Sequence, residues 1–244
     1  MKKILTLILL LPLIAPASTE YEPGIPLTQE QLDEIKAEDE ALGLVTADSG
    51  LEIVQPSEVK MFFDEDDHRK KFHKDMKEMK QRGYVKEDSP DAKSLLAMRN
   101  PGNSVREELK TDLSDIKLAF PYPGLPFIPK ENVIGYSGFI GWDNGWLGIL
   151  EFFKDKDFEV CNYERHNMKL SHGGVRLIAE DLEYDINGKP THYMVRGNDK
   201  TGYAYYTTWY DPTYIHNLQC ATERFKADGI DKLLELGITI DKVE

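Results

Sequence analysis

The side chains best equipped for chemistry lie in the second half of the chain. Cys161, His166 and His172 follow a C-x4-H-x5-H spacing, and cysteine and histidine are common zinc ligands. One short stretch would have to supply all three ligands, however, and the chain holds only one other cysteine, Cys220. In an oxidising compartment an even pair with no third partner forms a disulfide. Closing the loop from 161 to 220 restricts the unfolded chain by roughly 4 kcal/mol in the entropy model. The expected state is a Cys161–Cys220 disulfide, with no metal and no cofactor.

Other chemistries lack a complete set of parts. His68 and His73 are five apart, so they leave a helix on different sides, unlike the i, i+4 pair of an HExxH site. Ser171-His172-Gly173-Gly174 has the composition of an esterase oxyanion loop. Its companion is missing, because Gly135-Tyr136-Ser137-Gly138 is not a G-x-S-x-G elbow and no alternating βα pattern exists to hold one. Asp185-Ile186-Asn187-Gly188 begins like a calcium loop without its distant glutamate. No phosphate-cradling loop or dinucleotide fingerprint occurs. Glu180, Asp181 and Glu183 are close in sequence, but with 43 acidic residues in the chain no pair stands out. No catalytic residue is assigned, and the balance is against an enzyme.

Aromatic residues offer a different kind of site. In GFIGWDNGWLGILEFF, residues 138–153, Trp142 and Trp146 are separated by Asp143-Asn144-Gly145. A three-residue hairpin loop with Gly145 in the left-handed position would set Trp142 opposite Trp146, Ile140 opposite Gly148 and Gly138 opposite Leu150. Large residues then face glycines, which lets a ribbon hold bulky side chains. In Tyr203–Tyr210, strand alternation puts Tyr205 and Trp209 on one face and Tyr206, Thr208 and Tyr210 on the other. Core packing is the leading role for these aromatics. The alternative is an aromatic binding surface of Trp142, Trp146, Tyr205 and Trp209 for a glycan or an envelope protein partner.

The elements that must position these residues follow from periodicity and punctuation. Met1-Lys2-Lys3, the apolar run Ile4–Ile14 and Ala15-Pro16-Ala17 have the layout of a cleavable Sec-type signal peptide, with cleavage near Ala17-Ser18. The run is too short to span a bilayer, and no later stretch reaches the roughly 20 residues needed, so no integral membrane span is expected. Residues 18–115 read as a helical, acidic region. A helix follows the capping box at Thr28, another covers Phe63–Gly83, a third starts at Ser89-Pro90, and a fourth carries Val105, Leu109 and Leu113. Residues 44–61 hold at most a short strand. Residues 116–132, with four prolines among 118–132, form an extended connector. From 133 to 244 β-formers dominate. Strands are expected near 133–142, 146–153, 157–164, 175–185, 191–197, 203–210 and 214–219, with an Asn187-Gly188 hairpin turn and a helix over Ala221–Gly237. The fold class is α+β, a helical acidic N-terminal part followed by a mainly antiparallel sheet closed by a C-terminal helix.

Charge narrows the partners. The chain carries a net −13, and between Ser18 and Asp67 there are 15 acidic residues against two lysines. His68–Arg82 is basic, with seven Lys and Arg against two acids. An acidic surface repels phosphate backbones, so no nucleic-acid partner is expected. The sequence therefore points to a periplasmic or secreted protein, a non-enzymatic binding or structural module of a cell-envelope assembly. The alternative is an exported hydrolase acting on cell-envelope polymers, with acids drawn from distant segments.

Overall fold

A computed structural model describes residues 50–55, 65–99, 109–142, 144–171 and 173–243, the side chains of 65–69 and Trp142 excepted. The leader at 1–17, the helix after Thr28, residues 103–108 and His172 lie outside these residues. The described elements are β1 (Leu51–Val54), α1 (Glu65–Arg82), β2 (Val85–Lys86), α2 (Pro90–Ala97), β3 (Val133–Trp142), β4 (Gly145–Phe153), β5 (Val160–Asn167), β6 (Val175–Ile178), β7 (Glu183–Ile186), β8 (Lys189–Asn198), β9 (Gly202–Tyr210), β10 (Tyr214–Thr222) and α3 (Gly229–Asp241). None of the described helices is long and apolar enough to cross a membrane.

Among the described residues one eight-stranded sheet dominates, in the order β2-β8-β9-β10-β5-β4-β3, with β7 also paired to β8. Every pairing is antiparallel except β2 with β8. A separate pair joins β1 and β6 in parallel. The Asn187-Gly188 turn forms as expected. Asn187 (φ 49) and Gly188 (φ 75) are both left-handed, which a two-residue hairpin loop between right-twisted strands requires.

The sheet is packed on both faces. Under one face α3 and the proline-rich connector bury Phe153, Cys161, Tyr163, Tyr205, Trp209, Leu218, Leu233 and Ile240. Leu233 and Ile240, seven residues apart, put two fully buried side chains on the same stripe of α3. Gly229 lets the helix approach, since a Cβ there would enter the Tyr205 ring. On the other face α2 packs Ala92, Leu95 and Leu96 against Phe152, Val160, Ala204 and Ala221. Ser89 caps this helix through its Oγ, which accepts from the Ala92 N–H at 3.1 Å. α1 lies along the edge of β8, where the Met79 sulfur accepts the Val195 N–H at 3.3 Å. Asp75 of α1, buried, holds Arg196 of β8 at 2.8 Å.

Several expectations change. β1 is the short strand expected within 44–61, but the N-terminal part also contributes an unexpected strand, β2, which joins the main sheet. Leu109 and Leu113 do not share a helix. Lys110 between them exchanges backbone hydrogen bonds with Tyr136 of β3, so a pairing available only in three dimensions displaces the helical pattern. The strand expected over 175–185 is split by a short 3-10 turn at Ala179–Asp181. β10 runs through Thr222 and the last helix starts at Gly229, because Ala221 is needed opposite Ala204.

The β3–β4 hairpin also differs. Trp142 opposes Gly145, Gly141 opposes Trp146 and Phe139 opposes Gly148, leaving only 143 and 144 between the strands. Gly145 is recruited as a strand residue by the connector. The Trp146 N–H donates to Lys117 O at 2.8 Å, the Ala119 N–H donates to Trp146 O at 3.0 Å, and a Cβ at 145 would lie 2.6 Å from Lys117 O. Ile140, left-handed with φ 54, is not among the paired positions, although the register is the same on either side of it; the register shift of this hairpin lies between Val133 and Gly135. The exchange of bulk for glycine persists with new partners. The Phe139 ring occupies the place of a Gly148 side chain, and the Trp146 indole that of Gly138. Gly148→Val should therefore destabilise the fold by about 1–3 kcal/mol through overpacking. Chemical denaturation checks this, and an unchanged midpoint would contradict the packing described.

Candidate ligand-binding face

The central strands β5 and β10 alternate in an unusual way. Toward α3 and the connector they send Cys161, Tyr163, Leu218 and Cys220. Toward the other face β5 sends Asn162, Glu164 and His166, and β10 sends Ile215, Asn217 and Gln219. Strands β9 and β8 continue this face with Tyr206, Thr208, Tyr210 and His192. The register sets these residues in rows across the sheet. Phe152, Asn162, Gln219 and Tyr206 form one row, and Leu150, Glu164, Asn217, Thr208 and His192 form the next. Gly148, His166, Ile215 and Tyr210 form a third. Phe139, lying on Gly148, brings its ring centroid 5.7 Å from that of His166.

This face is half-buried, and its polar groups are incompletely paired. Thr208 Oγ1 donates to Asn217 Oδ1 at 2.7 Å. Burial pushes the Glu164 carboxyl above its ordinary range, partly offset by a hydrogen bond from Asn217. Burial likewise lowers the His166 imidazole and favours its neutral form. Asn162 Oδ1, His166 Nε2 and Gln219 Nε2 are buried and have no hydrogen-bond partner. Leaving such an atom unsatisfied costs about 1–3 kcal/mol. Three of them lie on one face of two adjacent strands, an unusual concentration for a folded protein. The row that includes His192 ends at a groove of about 400 Å³, lined by Phe72, His73 and Met76 of α1 together with Glu183 and Tyr193.

The opposite face carries a second polar group of a different character. Tyr163 Oη lies 2.7 Å from His216 Nδ1, and His216 Nε2 lies 3.2 Å from Asp211 Oδ2. His216 stacks on Trp209 with the rings 5° from parallel and their centroids 4.9 Å apart. Burial raises the Asp211 carboxyl, but hydrogen bonds from His216 and from the Thr213 and Tyr214 N–H groups outweigh it and hold the carboxyl well below the usual range. Lys189 bridges Asp211 and Asp241, and the Trp209 indole N–H donates to Asp241 at 2.9 Å. The hydroxyl–imidazole–carboxylate order resembles a nucleophile relay, yet Tyr163 and His216 are both fully enclosed. A substrate has no approach to that hydroxyl, so the network fixes the β9–β10 turn and the end of α3.

The residues singled out from sequence separate into three groups. Cys161 and Cys220 face each other across β5 and β10 as a disulfide, with Cα atoms 4.0 Å apart and an S–S distance of 2.02 Å. This removes Cys161 from any zinc set. His166 is in any case on the opposite face, as residues five apart in a strand must be. Among the described residues no group of three His, Cys, Asp or Glu is placed to hold a metal. Tyr205 and Trp209 are 0 % exposed, so they are core residues and not a surface platform. Trp146 is half-buried and packs with Ile116, Phe120 and Ile149 beside the connector. Trp142 belongs to β3, with its side chain outside the description.

Asn162, Glu164, Asn217, Gln219 and His192 were not singled out. The signal was present as a period-2 polar stripe within β5 and β10, but its meaning depends on those strands being neighbours at the centre of the sheet. Paired carboxylates for glycoside hydrolysis do not converge here. Among the described strands β3–β5 and β8–β10, Glu164 is the only acid on this face. Comparison with protein-family models, with curated proteins and with solved structures found no match.

Proposed function

We propose that this chain is an exported protein of the cell envelope that works by binding, through the polar face of β5, β8, β9 and β10. The observation that carries the reading is the set of buried, unpaired polar atoms on Asn162, His166 and Gln219. Buried donors and acceptors in folded proteins are almost always paired, so a face that leaves three open is suited to a ligand or partner that completes them. Export is supported by the basic start, apolar run and small-residue cleavage pattern at 1–17, and it agrees with the Cys161–Cys220 disulfide.

The native protein is expected to travel with an envelope component on size-exclusion chromatography. The His166→Ala variant, which removes a ring nitrogen that makes no internal hydrogen bond, should lose most of that companion. Migration of the wild-type protein alone would count against the reading, as would a His166→Ala variant that retains the companion in full.

A further inference from the structure

We propose that the proline-rich connector is a strap whose middle opens when Glu151 beneath it loses its proton. The strap is tied to the sheet by its backbone at both ends. Lys117 and Ala119 bond Trp146 of β4, and at the far end Asn132 O accepts the Lys154 N–H at 2.8 Å. Among the described residues no backbone–backbone bond joins the stretch between Ala119 and Asn132 to a strand. Phe120 and Leu125 are buried there, and the Tyr122 hydroxyl and the Leu125 N–H both donate to the Glu151 carboxyl. Gly124, left-handed with φ 79, brings the backbone so close that a Cβ would lie 3.9 Å from Glu151 Oε2. Apolar side chains and one acid therefore hold the middle of the strap.

Tyr136 of β3 and Tyr163 of β5 are the direct partners of Glu151 across the sheet. Burial, together with Glu151 and Asp112, pushes the Tyr136 hydroxyl up to about 12, so it stays neutral below pH 8. Arg165, two residues beyond Tyr163 on the same face, sets its guanidinium 3.9 Å from the centroid of the Tyr214 ring. Asp112, Lys130 and Tyr136 line a groove of about 430 Å³, and Pro123–Pro126 of the strap form one of its walls. Ionised Glu151 is shut from solvent and its Oε1 has no donor. Lifting the strap lets solvent reach the carboxylate and joins it to the groove. The closed strap binds the proton more tightly than the open one, so closure is favoured below about pH 4.5 and weakens as pH rises through about 6. That interval corresponds to a rise of about 30-fold in the opening constant.

Residue-resolved amide hydrogen exchange between pH 4 and pH 8, in wild type and Glu151→Gln, tests this. Comparing the two proteins at one pH cancels the intrinsic pH dependence of exchange. The reporters are Leu125 and Ile128, whose N–H groups are bonded in the closed strap, the first to Glu151 and the second to Leu125 O. Their wild-type to variant ratio of exchange rates is expected to be near one at pH 4 and at least tenfold at pH 8. At pH 8 their protection in wild type should be at least tenfold lower than that of Ala204–Trp209 in β9. Equal protection of strap and β9 would mean that the strap opens only with the whole fold, and would overturn the inference. So would a ratio that stays near one at pH 8. The comparison of strap with β9 is internal to wild type, so it holds even where the variant folds poorly.

Discussion

Replacing Cys161 and Cys220 together by alanine is expected to lower the unfolding free energy by about 4 kcal/mol, within the 2–5 kcal/mol typical of a lost native disulfide. The bridge joins the two central strands at directly opposed positions and lies in one row with Phe153 and Tyr205. Both cysteines are fully buried, so the variant also loses sulfur contacts beneath α3. The chain-entropy effect depends on the 59-residue separation and acts through the unfolded ensemble. Denaturant titration of wild type and double variant, both without reductant, measures the difference. Thiol labelling of the denatured, unreduced wild type should find no reactive cysteine. Two labelled thiols would remove the bridge from the account, and equal midpoints would remove its energetic role.

Glu151 sets the second large effect. It is 1 % exposed under the connector, where the Tyr122 hydroxyl donates to its Oε2 at 2.6 Å and its Oε1 has no partner. Burial pushes its carboxyl up to about 6, against an ordinary value of 4.5, although hydrogen bonds from Tyr122 and the Leu125 N–H oppose the shift. The folded protein therefore holds this proton more tightly than the unfolded chain does. The resulting stability is fully present below about pH 4.5 and is lost as pH rises through about 6. At about 1.4 kcal/mol per pH unit the loss is roughly 2 kcal/mol. Glu151→Gln keeps an acceptor for Tyr122 and cannot ionise. It should match wild type near pH 4 and exceed it by about 2 kcal/mol near pH 8. Glu164 adds a slope of the same sign in both proteins, so the difference between them isolates Glu151. Parallel stability curves across that range would refute the assignment.

Much of the fold was legible because it is written locally. The Asn187-Gly188 turn, the Ser89 cap with Pro90 behind it and the β-rich run after 133 each follow from a few adjacent residues. The disulfide followed from counting. What was not legible depends on partners far away in sequence. Gly145 looks like a turn glycine until the connector at 117–119 is known to need it. Leu109 and Leu113 have helical spacing until β3 claims Lys110. The same limit hid the polar face of β5 and β10. Asn162 and Gln219 are unremarkable in isolation and acquire meaning only when β5 and β10 become neighbours. Trp209, conspicuous in sequence, is held inside by α3 and Asp241.

The pairing of β2 with β8 has a consequence for the time course of synthesis. Val85 meets Arg196, about 110 residues further along the chain. At 5–20 residues per second the early strand waits on the order of ten seconds for its neighbour to be made. Gly50, leading into β1, waits longer still for Pro212, whose carbonyl fills the space beside it. During that interval the growing polypeptide has no closed sheet to resist being threaded, and the architecture locks only when its last third arrives.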